Sequence, residues 1–173
     1  MASGHRPQHD IRESLKGSTH DMKLTHISDY DIVNYKKISM FLSTYKCTMK
    51  CGQECQNKEL LEYAVKDIPN SLIVKSFVAN PLTEAVVIGG LEPLDDIEDV
   101  FEFIKDFRKY CDNDIVIYTG YTEEEVSATV LALKCFKNII IKFGRYIPRT
   151  NKRFDEVLGV TLASKNQYAV RIS

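Results

Sequence analysis

Three short runs, EAVVIGG (84–90), DIVIYTG (114–120) and NIIIKFG (138–144), are almost continuously apolar, and each closes on glycine. Strands with no polar alternation belong to sheets covered on both faces, the habit of parallel sheets. Segments of helical period separate them. IEDVFEFIKDFRKYC (97–111) puts Ile97, Val100, Phe101, Ile104, Phe107 and Cys111 on one face. Thr122 and Glu125 form a capping box, and the helix it opens carries Val126, Val130, Leu133 and Phe136. Upstream, ISMFLST (38–44) reads as a buried strand, and KELLEYAVKDI (58–68) and NSLIVKSFVAN (70–80) as helices. QYAVRI (167–172) reads as a last strand. The alternation predicts an α/β fold with a mainly parallel sheet. Its helices are too few for a complete eight-fold barrel, which leaves an open or partial one.

The chain has 173 residues, enough for one domain with a sizeable core. Residues 1–21 are polar and without clear period, and read as a flexible arm that could derive from cloning. The domain is expected over residues 22–173, with Met22 as a candidate natural start. A net charge of −1 gives no electrostatic reason to expect nucleic acid or an anionic membrane as partner. No apolar run is long enough to span a bilayer, and the N-terminus lacks a signal-peptide core. A cytoplasmic location is expected.

CTMKCGQECQN (47–57) places Cys47, Cys51 and Cys55 at four-residue intervals directly after a strand. An odd total of 5 cysteines, three of them crowded, is a poor disulfide framework. Sites in parallel α/β folds gather at the carboxyl edge of the sheet. Three thiolates there suit an iron–sulfur cluster with one iron left open, and Lys46 and Lys50 could offset its charge. Zinc, with Cys111 or Cys135 as fourth ligand, is the alternative. Three incidental cysteines, and buried packing roles for Cys111 and Cys135, are the plain readings. All four histidines lie within the first 26 residues, so histidine is not expected at the site unless the N-terminal arm folds back.

VVIGGLEPL (86–94) is the second constellation. Gly89 and Gly90 let backbone approach a ligand, Glu92 offers an acceptor to a cation, and Pro93 stiffens the turn. With the cysteines in view, the chain resembles the radical S-adenosylmethionine superfamily, and within it the small activating proteins of anaerobic ribonucleotide reductase. The similarity runs from about residue 27 to the end. DIVN (31–34), SMFLSTYKC (39–47), the C-x3-C at Cys47 and Cys51, CQN (55–57), IGGLEPL (88–94), IYTGY (117–121), FGRY (143–146) and SKNQ (164–167) follow the family's order. The departures are a C-x3-C-x3-C spacing where the family has C-x3-C-x2-C, Glu54 where an aromatic residue is usual, the extra Leu91, and YKKIS in place of a Gly-Pro-Gly segment.

The resemblance implies an open parallel β/α barrel of the radical S-adenosylmethionine type, and an oxidoreductase that activates a glycyl-radical enzyme. Cys47, Cys51 and Cys55 would hold a [4Fe-4S] cluster. S-adenosylmethionine would take the fourth iron. Gly89, Gly90 and Glu92 would hold the methionine amino group, and backbone near Glu54 and Gln56 would face the adenine. One electron, from a flavodoxin-type or other low-potential donor, would cleave the sulfonium to methionine and a 5′-deoxyadenosyl radical. That radical would abstract hydrogen from a glycine on a large partner subunit, most naturally anaerobic ribonucleotide reductase. Arg145, Arg149, Lys152 and Arg153 could dock the partner, and Tyr118 and Tyr121 could line the mouth, against plain readings as solvated loop and core. Two alternatives are a small-molecule enzyme of the same superfamily, such as a 7-carboxy-7-deazaguanine synthase, and a degenerate, non-catalytic metal- or partner-binding domain.

Overall fold

The computed structural model describes residues 20–173; most of the arm expected at 1–21 lies outside the described residues. Strands β1 (Asp21–Asp31), β2 (Ser39–Thr44), β3 (Lys66–Pro69), β4 (Ala85–Gly90), β5 (Asp114–Tyr118), β6 (Ile139–Phe143) and β9 (Tyr168–Arg171) form a 7-stranded sheet. Its order is β3-β1-β2-β4-β5-β6-β9. β7 (Arg153–Asp155) and β8 (Val160–Leu162) pair as a separate antiparallel ribbon. The helices among the described residues are α1 (Asn70–Ala79), α2 (Ile97–Arg108) and α3 (Ser127–Leu133).

β2, β4, β5 and β6 run parallel, as the apolar runs predict. β1, β3 and β9 are antiparallel additions at the edges, so the sheet is mixed rather than mainly parallel. It is open, ending at β3 and β9. β1 was not expected from the sequence. Its burial alternates only at Met22 and Leu24, and later residues are largely polar and exposed. Met22, the candidate start, is the second residue of this strand and is 1% exposed.

Among the described residues, all three helices pack on one face. Met40, Leu42, Val86, Ile88, Ile115, Ile117, Ile139 and Ile141 form that face and meet Phe77 of α1, Phe103 and Phe107 of α2 and Leu133 of α3. The α2 face is broader than expected, because Phe103 lies between Val100 and Phe107 in the helical net and is fully buried. Strand residues alternate between faces, so Phe41, Ser43, Val87, Gly89, Val116, Tyr118, Ile140 and Lys142 point the other way. Among the described residues, no helix lies on that second face. Tyr35, Leu158 and Leu162 cover its lower part, and a cavity occupies the rest.

The helix expected over 58–68 is a correction. Residues Lys58–Glu62 make one 3₁₀ turn without a buried side chain, and Lys66–Pro69 pairs with β1. Leu61, Tyr63 and Val65 stay exposed, so the helical period has no core to bury in, and sheet pairing overrides it. The capping box forms as expected, Thr122 N–H to Glu125 at 2.8 Å and Glu125 N–H to Thr122 Oγ at 3.3 Å. It closes a turn, and α3 itself begins at Ser127. At the opposite end of the sheet from the cysteines, buried Asp114 accepts from Lys37 (2.6 Å), Arg171 (2.9 Å) and the Tyr35 hydroxyl (2.9 Å). These bonds pin β5 to β9 and to the segment before β2.

Candidate metal centre and its cavity

β2 delivers the chain to Cys47 at the carboxyl edge of the parallel strands. From there the loop turns through Met49 and Gly52, both with positive φ. Cys47, Cys51 and Cys55 are free, half-buried thiols that line one cavity of about 470 Å³, a size usual for small-ligand sites. Burial pushes the Cys47 thiol up, opposed by the Met49 N–H that reaches its Sγ at 3.2 Å, while Glu92 and Asp95 push it further. Burial also raises Cys51, opposed by the Tyr146 N–H and by Arg145 and Lys142.

The motifs close around this cavity through a relay of hydrogen bonds. Asn57, two residues past the third cysteine, donates to the Gly90 carbonyl at 2.5 Å. The Glu92 N–H donates to the Lys46 carbonyl at 2.9 Å. Glu92 is 7% exposed. Its Oε1 accepts from Thr119 Oγ1 (2.7 Å) and the Leu94 N–H (3.1 Å), and its Oε2 from the Gly120 N–H (2.8 Å). Burial raises its pKa against the pull of these donors. The Thr119 N–H donates to the Lys142 carbonyl, and the Gly144 N–H to the Tyr121 carbonyl. Gln167 donates to the Gly144 carbonyl at 3.2 Å, and Asn166 to the Arg145 carbonyl at 2.9 Å. Cysteine loop, glycine loop, Thr-Gly turn, Phe-Gly turn and Ser-x-Asn-Gln segment are thus joined in chain order.

One glycine is required by space and backbone conformation, and a second sits in close quarters. At Gly90, φ is +85° and a Cβ would lie 2.3 Å from Ser43 Oγ. A Cβ at Gly89 would meet Tyr118 at 3.2 Å and the Phe41 ring at 3.3 Å. Asp95 adds a clasp outside the cavity, accepting from the Thr48 N–H at 2.6 Å and the Tyr121 hydroxyl at 2.5 Å.

Of the expected site residues, Cys47, Cys51, Cys55, Gln56, Gly90 and Glu92 line the cavity, and the additional Leu91 lines it too. Gly89 lies beneath Phe41 and Tyr118 without lining it. The Glu54 side chain faces outward to Arg149 at 3.1 Å. Tyr118 lines the cavity and donates to the Asn34 carbonyl at 2.6 Å. Tyr121 instead sits outside, between Lys50 and Arg145, which lie 4.6 Å and 5.5 Å from its ring centroid. The expected basic docking stretch is partly neutralised, since Arg145 pairs with Glu125 and Arg149 with Glu54. Cys111 is buried beside Phe107, and Cys135 is exposed on the helical side.

Sequence reasoning missed His26 and Lys142. β1 pairs with β2, which brings His26 to the cavity. Lys142 hides in the apolar run NIIIKFG. Its position one residue off the Ile139–Ile141–Phe143 face was the available signal.

Among the described residues, no three His, Cys, Asp or Glu side chains gather tightly enough for a bare metal ion. The three thiols share a cavity wall instead, and a cluster spaces its thiolates more widely than a single ion does. The donor set, three free thiols with no fourth beside them, therefore fits a cubane better than a closed zinc site. Such a site defines an iron–sulfur protein. The family model described as 4Fe-4S single cluster domain matches residues 36–167, and the chain belongs to that family. The match spans every segment of the relay, from the cysteine loop to Gln167. No curated protein and no solved structure matches the chain. Among the described residues, no helix is long and apolar enough to cross a membrane.

Proposed function

We propose that this 4Fe-4S domain is a radical S-adenosylmethionine activase for a glycyl-radical enzyme. The observation that carries the reading is the relay. The glycine loop, with Gly90 and Glu92, is bonded to the cysteine loop and opens with it into one cavity. A domain that only transferred electrons would need the thiols but not a small-ligand cavity beside them. With both cofactors bound, the chemistry supplied there is one-electron cleavage of the sulfonium to methionine and a 5′-deoxyadenosyl radical.

The chain's own residues then have defined tasks. Cys47, Cys51 and Cys55 hold the cluster. Glu92 Oε2 accepts one protein hydrogen bond and has capacity for a second, from an ammonium group. Gln56 and Leu91 form wall beside the cysteines, where an adenosyl group would rest. Tyr118 closes the floor. An open, partial β/α barrel is proposed with the same reading. Helices on one face and a cavity on the other are what a partial β/α barrel puts outside and inside. The face on which no described helix packs leaves access for a polypeptide loop bearing the target glycine. The large subunit of anaerobic ribonucleotide reductase is the partner proposed, with a low-potential, flavodoxin-type donor and a cytoplasmic setting.

The test uses anaerobically reconstituted protein. Iron and sulfide are counted, then S-adenosylmethionine and dithionite are added and 5′-deoxyadenosine is measured. About four irons per chain with 5′-deoxyadenosine formed is the expected result. A fully loaded cluster that leaves the cofactor intact would reduce the protein to a binding domain. Turnover of a pterin without any protein partner would move it to the small-molecule branch.

A further inference from the structure

Lys142 is anomalous on its face of the sheet. It is 6% exposed, although lysine is rarely buried without an ion-pair partner. Its Nζ donates to the Gly144 carbonyl at 2.9 Å. Among the described residues, no carboxylate stands within ion-pair distance of it. Burial drives its pKa down to about 8, while Glu92 and Cys51 pull it back up. The protein thus carries a desolvated cation, 5.6 Å from the Tyr118 ring centroid, that no ion pair among the described residues neutralises.

The surroundings say what does. Lys142 lines the same cavity as Cys47, Cys51 and Cys55. Its carbonyl holds the Thr119 N–H. The next residue, Gly120, is so close to the cysteine loop that a Cβ there would lie 3.7 Å from Cys51 Sγ. Glu92 is the carboxylate lining this space, His26 lines it as well, and Arg145, paired with Glu125, acts on Cys51 from outside it. The carboxylate of Glu92 is turned to the Thr119, Gly120 and Leu94 donors. A cluster on three thiolates is net anionic and gains a further negative charge on reduction. A fixed cation in a low-dielectric cavity stabilises the more negative state, and net charge is among the determinants of cluster potential.

We propose that Lys142 is the buried counter-charge of the cluster, which raises its midpoint potential by favouring the reduced form. This rests on membership of the 4Fe-4S family and stands apart from the S-adenosylmethionine reading. An intact cluster with altered potential supports it even if no cofactor is cleaved. Lys142 is here a tuning residue and takes no part in bond cleavage.

The test is a potentiometric titration of the reconstituted full chain, without S-adenosylmethionine, following the electron paramagnetic resonance signal of the reduced cluster. Lys142→Met should retain wild-type iron and sulfide and shift the midpoint to more negative potential. Lys142→Arg, which keeps the charge, should stay near wild type. An unshifted Lys142→Met with full iron would overturn the proposal, as would a Lys142→Arg shifted as far as the methionine variant. Lys142→Gln guards against a failed methionine variant, because its amide can keep the bond to the Gly144 carbonyl. If both neutral variants fold by circular dichroism yet hold no cluster, Lys142 belongs to the scaffold and the proposal falls.

Discussion

Glu92 binds the backbone N–H of Gly120 at 2.8 Å across 28 residues of sequence, fastening the glycine loop to the turn beside Cys51. The carboxylate is both a wall of the cavity and a structural latch. Glu92→Ala removes acceptors from Thr119, Gly120 and Leu94 at once. The expected destabilisation is about 2–3 kcal/mol, the penalty of stranding buried donors, read from urea midpoints. Cluster content should survive while S-adenosylmethionine affinity falls. Unchanged calorimetric affinity would remove Glu92 from the ligand's contacts and leave it the latch alone.

Gly90→Ala meets two obstacles, a φ of +85° and the Ser43 hydroxyl 2.3 Å from the new methyl carbon. The left-handed backbone alone costs about 1–2 kcal/mol. Ser43 Oγ is itself held by Thr25 at 2.9 Å and has little room to retreat. A combined loss above about 2 kcal/mol in thermal unfolding is expected. A neutral substitution would mean that the loop relaxes freely.

Cys51→Ala should abolish the visible iron–sulfur absorbance after reconstitution while far-ultraviolet circular dichroism stays native. The thiol lines the cavity edge and contributes little to the sheet, whose cores are Leu, Val, Ile and Phe side chains. Full absorbance in this variant would remove the cysteine triplet from the metal centre.

Asp114 sets an acid limit on stability. Burial opposes its ionisation, but Lys37, Arg171 and the Tyr35 hydroxyl outweigh it and hold its pKa below the ordinary 3.8. The folded value is depressed, so the stabilisation is present above the unfolded pKa and is lost as pH falls through the folded one. Asp114→Asn should cost about 2–3 kcal/mol at neutral pH, and the gap to wild type should close below about pH 4. A gap that persists at pH 2 would assign the loss to packing instead.

Lys142 has the opposite sign in the cluster-free protein. Its pKa falls from 10.5 to about 8 on folding, so between those values the unfolded chain binds more protons and stability rises with pH. At pH 7 the cluster-free Lys142→Met protein should be more stable than wild type by on the order of 3 kcal/mol. The difference should vanish above about pH 10.5. Equal stability at pH 7 would show that hydration of Lys142 already relieves its burial.

The chain by itself determined the apolar strands β2, β4, β5 and β6, the helices that follow β4 and β5, the cysteine triplet and the glycine loop. Each rests on local patterns, a hydrophobic period or a ligand spacing. Only the tertiary structure decided β1 and β3. Their residues are largely polar or exposed, and they exist because each pairs with a neighbour far along the chain. It also decided that Glu54 turns away to Arg149, that His26 reaches the cavity, and that Lys142 shares it with the thiols. An apolar run shows that a strand is buried but not which face meets helices and which meets a cavity. That choice is made by packing, since the three described helices cover one side and leave the other to the site.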